Sequence, residues 1–213
     1  MVIKWQKKQH VKLGSGILMY EQSKSVKRRF NDGAFHNRYF RGEGIDIGGA
    51  PDPLGQYAGV FSLMLSARTW DMEDGDAQYM EGVEDNQFDF LASSHCLEHM
   101  VNPQEALSNW IRIVKPGGFI VVTVPDEDMY EGGVWPSRYN DDHKHTFTIC
   151  KRDSWSPVSV NVVDLIKHHT DKMICERITL VNDFHRRLRE GYEFDQTLTP
   201  VTECAIEFIG RKI

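Results

Sequence analysis

No stretch of this 213-residue chain approaches the eighteen or so consecutive apolar residues of a membrane-spanning helix. The opening segment, MVIKWQKKQH, lacks the apolar core of a secretion signal. The chain therefore reads as cytoplasmic, with no membrane partner. Cysteine is sparse: Cys96, Cys150, Cys175 and Cys204 lie far apart, with no CxxC pairing. That excludes a zinc knuckle and a disulfide framework, and it fits a reducing compartment. Positive charge is in deficit, with a net charge of −6, so no global field draws nucleic acid or anionic lipid. A local basic run, Lys24, Lys27, Arg28 and Arg29, reads as a solvated helix face. Repeats and low-complexity linkers are absent as well.

What is present is ordinary for a globular protein: 40% apolar and 26% charged residues. The length suits one domain over residues 1–213, with an N-terminal helical extension (1–41) and a loop insertion at 126–150 facing a substrate. Tyr20 to Phe40 reads as helical, with Val26, Phe30 and Tyr39 apolar and Gly33 interrupting. Gly44 to Ile47 is a short strand running into Gly48-Gly49; Arg68 to Asp71 and Phe88 to Ser93 are further strand-like runs. Asn102 caps a predicted helix that has Pro103 at its first position and Glu105 in its first turn. Ala106, Leu107, Trp110, Ile111 and Val114 recur at helical spacing until Lys115-Pro116-Gly117-Gly118 stops them. Phe119 to Val124 then reads as a strand covered on both faces. Asn161 to His169 is predicted helical, and Ile174 to Leu180 and Glu203 to Ile209 form a closing, antiparallel pair of strands. Strands alternating with helices over one domain predict a wound α/β sheet.

In such sheets ligands bind at the carboxyl ends of the strands. Asp46-Ile47-Gly48-Gly49-Ala50 lies at such an end, where glycine permits close approach and positive φ. It is not GxGxxG, and Pro51 and Pro53 disfavour a phosphate-cradling helix start, which counts against a dinucleotide. Asp71, 25 residues beyond Asp46, has the spacing of a carboxylate that accepts from ribose hydroxyls. Asp76 is a second acid in a stretch, Asp71 to Asp76, that composition alone assigns to a solvated loop.

Asp46-Ile47-Gly48-Gly49, Gly75-Asp76-Ala77-Gln78, Phe88-Asp89-Phe90 with Ser93 to His99, and Val114-Lys115-Pro116-Gly117-Gly118 stand in an order that resembles class I S-adenosylmethionine-dependent methyltransferases, within them the small type 11 branch. The likeness covers about residues 42 to 126 and extends to the last strand. It implies a Rossmann-like fold with a seven-stranded, mostly parallel sheet, an antiparallel C-terminal edge strand and helices on both faces. It implies S-adenosylmethionine as cofactor, with Asp46, Gly48 and Gly49 on its methionine and ribose side and Asp71 on the ribose hydroxyls. By the same likeness Asp76 accepts from the adenine amino group, Ala77 lies beside the ring, and Ser94 and His95 line the reactive end. The first motif departs from the family in following its single Gly-Gly with Ala50-Pro51.

The reaction implied is in-line attack of an acceptor oxygen or nitrogen on the sulfonium methyl, with the protein mainly positioning the reactants. The loop from Tyr130 to Phe147 overhangs the same edge. Tyr130, Arg138, Asn140 and His145, with Asp142 nearby, are candidates for binding a small polar acceptor, and His143 for the general base. O-methylation of a sugar-like or phosphorylated metabolite, as in surface-polysaccharide synthesis, is expected over N-methylation, because no Asn-Pro-Pro-Tyr-type motif follows Ser94. No metal and no nucleic-acid partner is expected; a homodimer is compatible with this reading. One rival is a methyltransferase-like protein that stabilises an active partner. Another is an HxxEH zinc hydrolase, with His95 and His99 as ligands on one helical face and Glu98 as base.

Overall fold

Apolar residues alternating in and out along each strand, with period two, place two hydrophobic layers on one central sheet. The computed structural model describes residues 20–189 and 192–213. Its strands are β1 (Gly42–Ile47), β2 (Met64–Trp70), β3 (Phe88–Ser94), β4 (Val114–Pro125), β5 (Thr146–Thr148), β6 (Ser159–Asn161), β7 (Met173–Val181) and β8 (Ala205–Lys212). The α-helices are α1 (Glu21–Arg29), α2 (Pro103–Ile113) and α3 (Val162–Lys167). Six strands form the main sheet in the order β2-β1-β3-β4-β8-β7, and β5 pairs with β6 beside it. Pairing is parallel from β2 to β4, and β8 runs antiparallel to both β4 and β7.

Ile45, Ile47, Ile120, Val122, Val124 and Phe208 pack on one face with Trp110 of α2 and Leu165 of α3. Phe90, Ala92, Val121 and Ile209 pack on the other with Val26 of α1, Phe35, Phe40 and Phe61. Helix α2 begins as expected: the Asn102 side chain accepts from the backbone N–H groups of Gln104 and Glu105, and Pro103 opens the first turn. Between Val114 and Phe119 the pairing of β4 with β3 is interrupted, and Gly117 takes positive φ there. None of the helices in the described residues is long and apolar enough to cross a membrane.

Two expectations are corrected. The sheet has six strands rather than seven, because Asp71 to Gln87 folds into turns with four acids in its first six residues. Only β2, with Leu65 exposed, forms that edge. The basic run is not a solvated face either: of its four residues only Lys27 is exposed. Lys24 Nζ donates to the carbonyls of Thr197 and Thr202, and Arg28 and Arg29 meet Glu203 and Glu207. Of the N-terminal extension, residues 1–19 lie outside the described residues. The rest holds α1 and a short π-helical turn at Phe35–Tyr39, with Val26 and Tyr39 buried and Phe30 exposed.

Candidate active site

The carboxyl ends of β1, β2, β3 and β4 meet at one edge of the sheet, where the backbone leaves regular pairing and side chains can converge. At the end of β1 the chain turns at Gly48, whose φ is +75° and whose N–H donates to the Trp70 carbonyl at 2.8 Å. A Cβ on Gly48 would stand 2.8 Å from Cys96 Cβ, and one on Gly49 would stand 2.3 Å from Asp46 Oδ2. Both glycines are therefore needed for the turn to pack on its own underside. Asp46, 1% exposed, accepts from the Leu54 N–H at 2.7 Å and so fixes how the chain leaves the turn. From the end of β2, Asp71 clamps the same turn, its Oδ2 accepting from the Ala50 N–H at 3.0 Å. Exposed Asp76 accepts from the Gln78 N–H, and the Ala77 carbonyl accepts from Trp110 Nε1 at 2.8 Å, so α2 supports this ledge.

Burial pushes the Asp46 carboxyl up to about 7, against the smaller opposing pull of the Leu54 N–H. Its folded value thus lies above its unfolded one. The linked stability is complete below an unfolded carboxyl value near 4 and is lost as pH rises through about 7. Asp126, pushed up to about 6 by burial, adds a slope of the same sign. Asp46→Asn keeps an acceptor for Leu54 and removes the titration. Its urea midpoint is expected to fall less than the wild type's between about pH 5 and pH 8. Parallel pH profiles for the two proteins would refute this.

At the end of β3, Ser94 Oγ is buried with no hydrogen-bond partner among the described residues. His95 takes a left-handed backbone, φ +53°, with its N–H on the Thr123 carbonyl. That kink sends the chain into a short 3₁₀ turn, Leu97–His99, which delivers Glu98 into the interior at 0% exposure. Three imidazoles surround it: His95 Nδ1, His99 Nε2 and His143 Nε2 stand 3.7, 3.8 and 3.8 Å from Glu98 Oε1. Outside them lie more carboxylates, with Glu131 Oε1 on His143 Nδ1 at 2.7 Å, Asp142 Oδ2 on His99 Nδ1 at 3.0 Å, and Glu21 Oε2 3.6 Å from His95 Nε2. Tyr130 packs its ring 5.3 Å from that of His143, and burial pushes its hydroxyl far up in pKa.

The fold thus brings Ser94, His95, Tyr130 and His143 together, beside the turn that holds Asp46, Gly48, Gly49 and Asp71. It does not bring in the other loop candidates. Arg138 pairs with Glu193, His145 Nε2 meets the Val101 carbonyl, and Asn140 accepts from the Asp142 N–H in a local turn. Sequence reading took Glu98 and His99 only as an HxxEH pair, and missed Glu21 and Glu131. Nothing in the local sequence signals those two, since they come from α1 and from the Glu127–Glu131 turn. The helix needed to align His95 and His99 as zinc ligands does not form, because β3 ends at Ser94 and residues 97–99 are a 3₁₀ turn.

Residues 59–122 match the family described as a methyltransferase domain, type 11. No match is found among curated proteins. A methyltransferase from Archaeoglobus fulgidus that depends on S-adenosylmethionine is 14% identical with a TM-score of 0.57, over 90% of this chain and 94% of that one. A protein solved in work on the conversion of a disulfide bond into a thioacetal group during echinomycin biosynthesis is 14% identical with a TM-score of 0.55, over 88% and 80%. A chain of the complex between the Haloferax volcanii Trm112 methyltransferase activator and a methyltransferase is 11% identical with a TM-score of 0.50, over 88% and 93%. At these identities the likeness is one of fold. The type 11 match lies across β2, β3, α2 and most of β4, so residues 59–122 are similar to a methyltransferase domain and the whole chain shares its fold with S-adenosylmethionine-dependent methyltransferases.

Proposed function

We propose that this protein transfers a methyl group from S-adenosylmethionine to an oxygen of a small polar acceptor, sugar-like or phosphorylated. The observation that carries the reading is the convergence, at one sheet edge, of the Gly48-Gly49 turn, the Asp71 carboxylate and the buried Ser94 hydroxyl. These groups fit the cofactor: Asp71 toward the ribose hydroxyls, Asp76 and Ala77 toward the adenine, Ser94 and His95 toward the reacting end. Asp46 acts one step back, by holding the turn through Leu54. When bound, the cofactor supplies an electrophilic methyl on a sulfonium. His143 Nε2 is the proton acceptor in this reading, with Glu131 fixing Nδ1 and hence the tautomer.

An anionic acceptor is favoured by the segment joining β7 to β8, which spans the same edge. There Arg186, Arg187 and Arg189 line a hollow of about 310 Å³ beside Tyr192 and Phe194. Arg138 contacts this segment through Glu193. By contrast, the hollow of about 400 Å³ between α2 and the end of β8 lies at the opposite edge, away from these groups.

Calorimetric titration of S-adenosylhomocysteine is the test. The wild type is expected to bind in the micromolar range, and Asp71→Ala and Asp76→Ala each to bind at least about tenfold more weakly, or 1.4 kcal/mol. Absence of binding by the folded wild type would overturn the reading.

A further inference from the structure

We propose that Glu98, His99 and His143 form a binding site for one divalent transition-metal ion of the zinc class. One ligand atom from each, all in buried residues, lies within 4.8 Å of the other two. Two atoms bound to a tetrahedral zinc at about 2.0–2.2 Å stand roughly 3.4 Å apart. The 3.8 Å from Glu98 Oε1 to each imidazole Nε2 has to close by a few tenths of an ångström, and the two imidazoles, within 4.8 Å of each other, by up to about 1.4 Å.

The outer contacts are those a metal site requires. Glu131 holds Nδ1 of His143 and Asp142 holds Nδ1 of His99, so both rings present Nε2 toward Glu98. A carboxylate behind a ligating imidazole fixes its tautomer and raises its basicity. Charge points the same way. Glu98 and Glu131 have side chains 0% and 1% exposed, and Glu131 Oε2 has no hydrogen-bond partner among the described residues. The Lys144 ammonium stands 3.6 Å from Asp142 Oδ1, on the outer side of the cluster. A dication held between Glu98 and the two imidazoles would be attracted by both buried carboxylates. Two nitrogens and one oxygen suit zinc over magnesium or calcium, which take oxygen donors. Three protein ligands leave a fourth position for water or another oxygen donor, bordered by His95.

This inference stands on geometry and charge, independently of methyl transfer. It has one consequence for that reading: His143 Nε2 cannot accept a proton while it ligates a metal, so the loaded protein is the base-blocked form.

The test uses the whole protein, stripped with a chelator and titrated calorimetrically with zinc. One ion per chain is expected, with His99→Ala and His143→Ala weakening binding at least about 100-fold. Glu131→Gln, which leaves all three ligands in place, is expected to lose about 10- to 100-fold. His168→Ala, at an exposed position, is expected to bind as the wild type does. Cobalt in place of zinc is expected to show the strong visible absorption of a four-coordinate ion. Should the alanine variants fail to fold, Glu131→Gln and the cobalt spectrum still decide. No stoichiometric zinc, or zinc affinity unchanged in folded His99→Ala, His143→Ala or Glu131→Gln, would overturn the proposal. Protons shared among the imidazoles and carboxylates would then account for the cluster. S-adenosylhomocysteine binding is measured without metal, so either idea can fail alone.

Discussion

Glu207→Ala is expected to destabilise the protein by about 3–5 kcal/mol, read from urea unfolding at neutral pH. Glu207 sits on β8 with its side chain 1% exposed, and Arg29, equally buried, donates to its Oε2 from Nε at 2.9 Å and Nη2 at 2.7 Å. Arg28 Nη2 adds a contact to the same oxygen at 3.1 Å. Removing the carboxylate leaves Arg29 charged in the interior, with Thr123 Oγ1 and the rings of Phe35 and Phe40 as its remaining neighbours. An uncompensated buried charge is the expensive outcome, more so than loss of the pair as a whole. Burial alone would raise the Glu207 carboxyl, but attraction by Arg29 and Arg28 prevails and holds it at about 2. Its folded value lies below its unfolded one, near 4.5. The linked stability is therefore present above about pH 4.5 and lost as pH falls toward 2. Glu207→Gln, which retains an acceptor, is expected to lose that acid dependence. A loss below about 1 kcal/mol in Glu207→Ala would show that the guanidinium finds water instead.

Trp110→Ala is expected to cost a similar amount, about 3–5 kcal/mol, for a different reason. Trp110 is 0% exposed, lies on the inner stripe of α2 and belongs to the larger core layer. Its deletion leaves a cavity between α2 and the sheet that rigid strands cannot fill. It also releases the Ala77 carbonyl, which no longer receives the indole N–H. Trp110→Phe separates the two effects: most of the packing stays, and a loss of about 1 kcal/mol is expected from the hydrogen bond and the smaller ring. Since Ala77 neighbours Asp76, the phenylalanine variant is also expected to weaken S-adenosylhomocysteine binding. If that affinity holds while stability drops, the ledge keeps its shape without α2.

Much of the architecture could be read from local sequence. Phe119 to Val124 lies in β4, covered on both faces as its single polar residue, Thr123, implies, and Asn102-Pro103 opens α2 at the position read for it. The order of motifs carried the fold, including the antiparallel return of β8. What could not be read depends on distant partners. Lys24, Arg28 and Arg29 look solvated until Glu203, about 175 residues away, and Glu207 face them. The same limit hides the site's interior. His143 is legible as a histidine in a loop, but its placement comes from Glu131 and Glu98, which approach from other segments. Conversely, Arg138, Asn140 and His145 have polar side chains suited to an acceptor, and the fold gives each another partner.

The position of β8 has a consequence for how the chain is made. Ala205–Lys212 leaves the ribosome after both β4 and β7, yet it lies between them and joins them. Until it emerges, β4 has an open edge, β7 has no neighbour in the sheet, and Arg29 has no carboxylate. Pairings this remote in sequence form slowly, and an uncovered strand edge is open to association with other chains. Completion of the sheet, and of the buried charge pair on β8, must therefore wait for a strand made long after β4, the neighbour it covers.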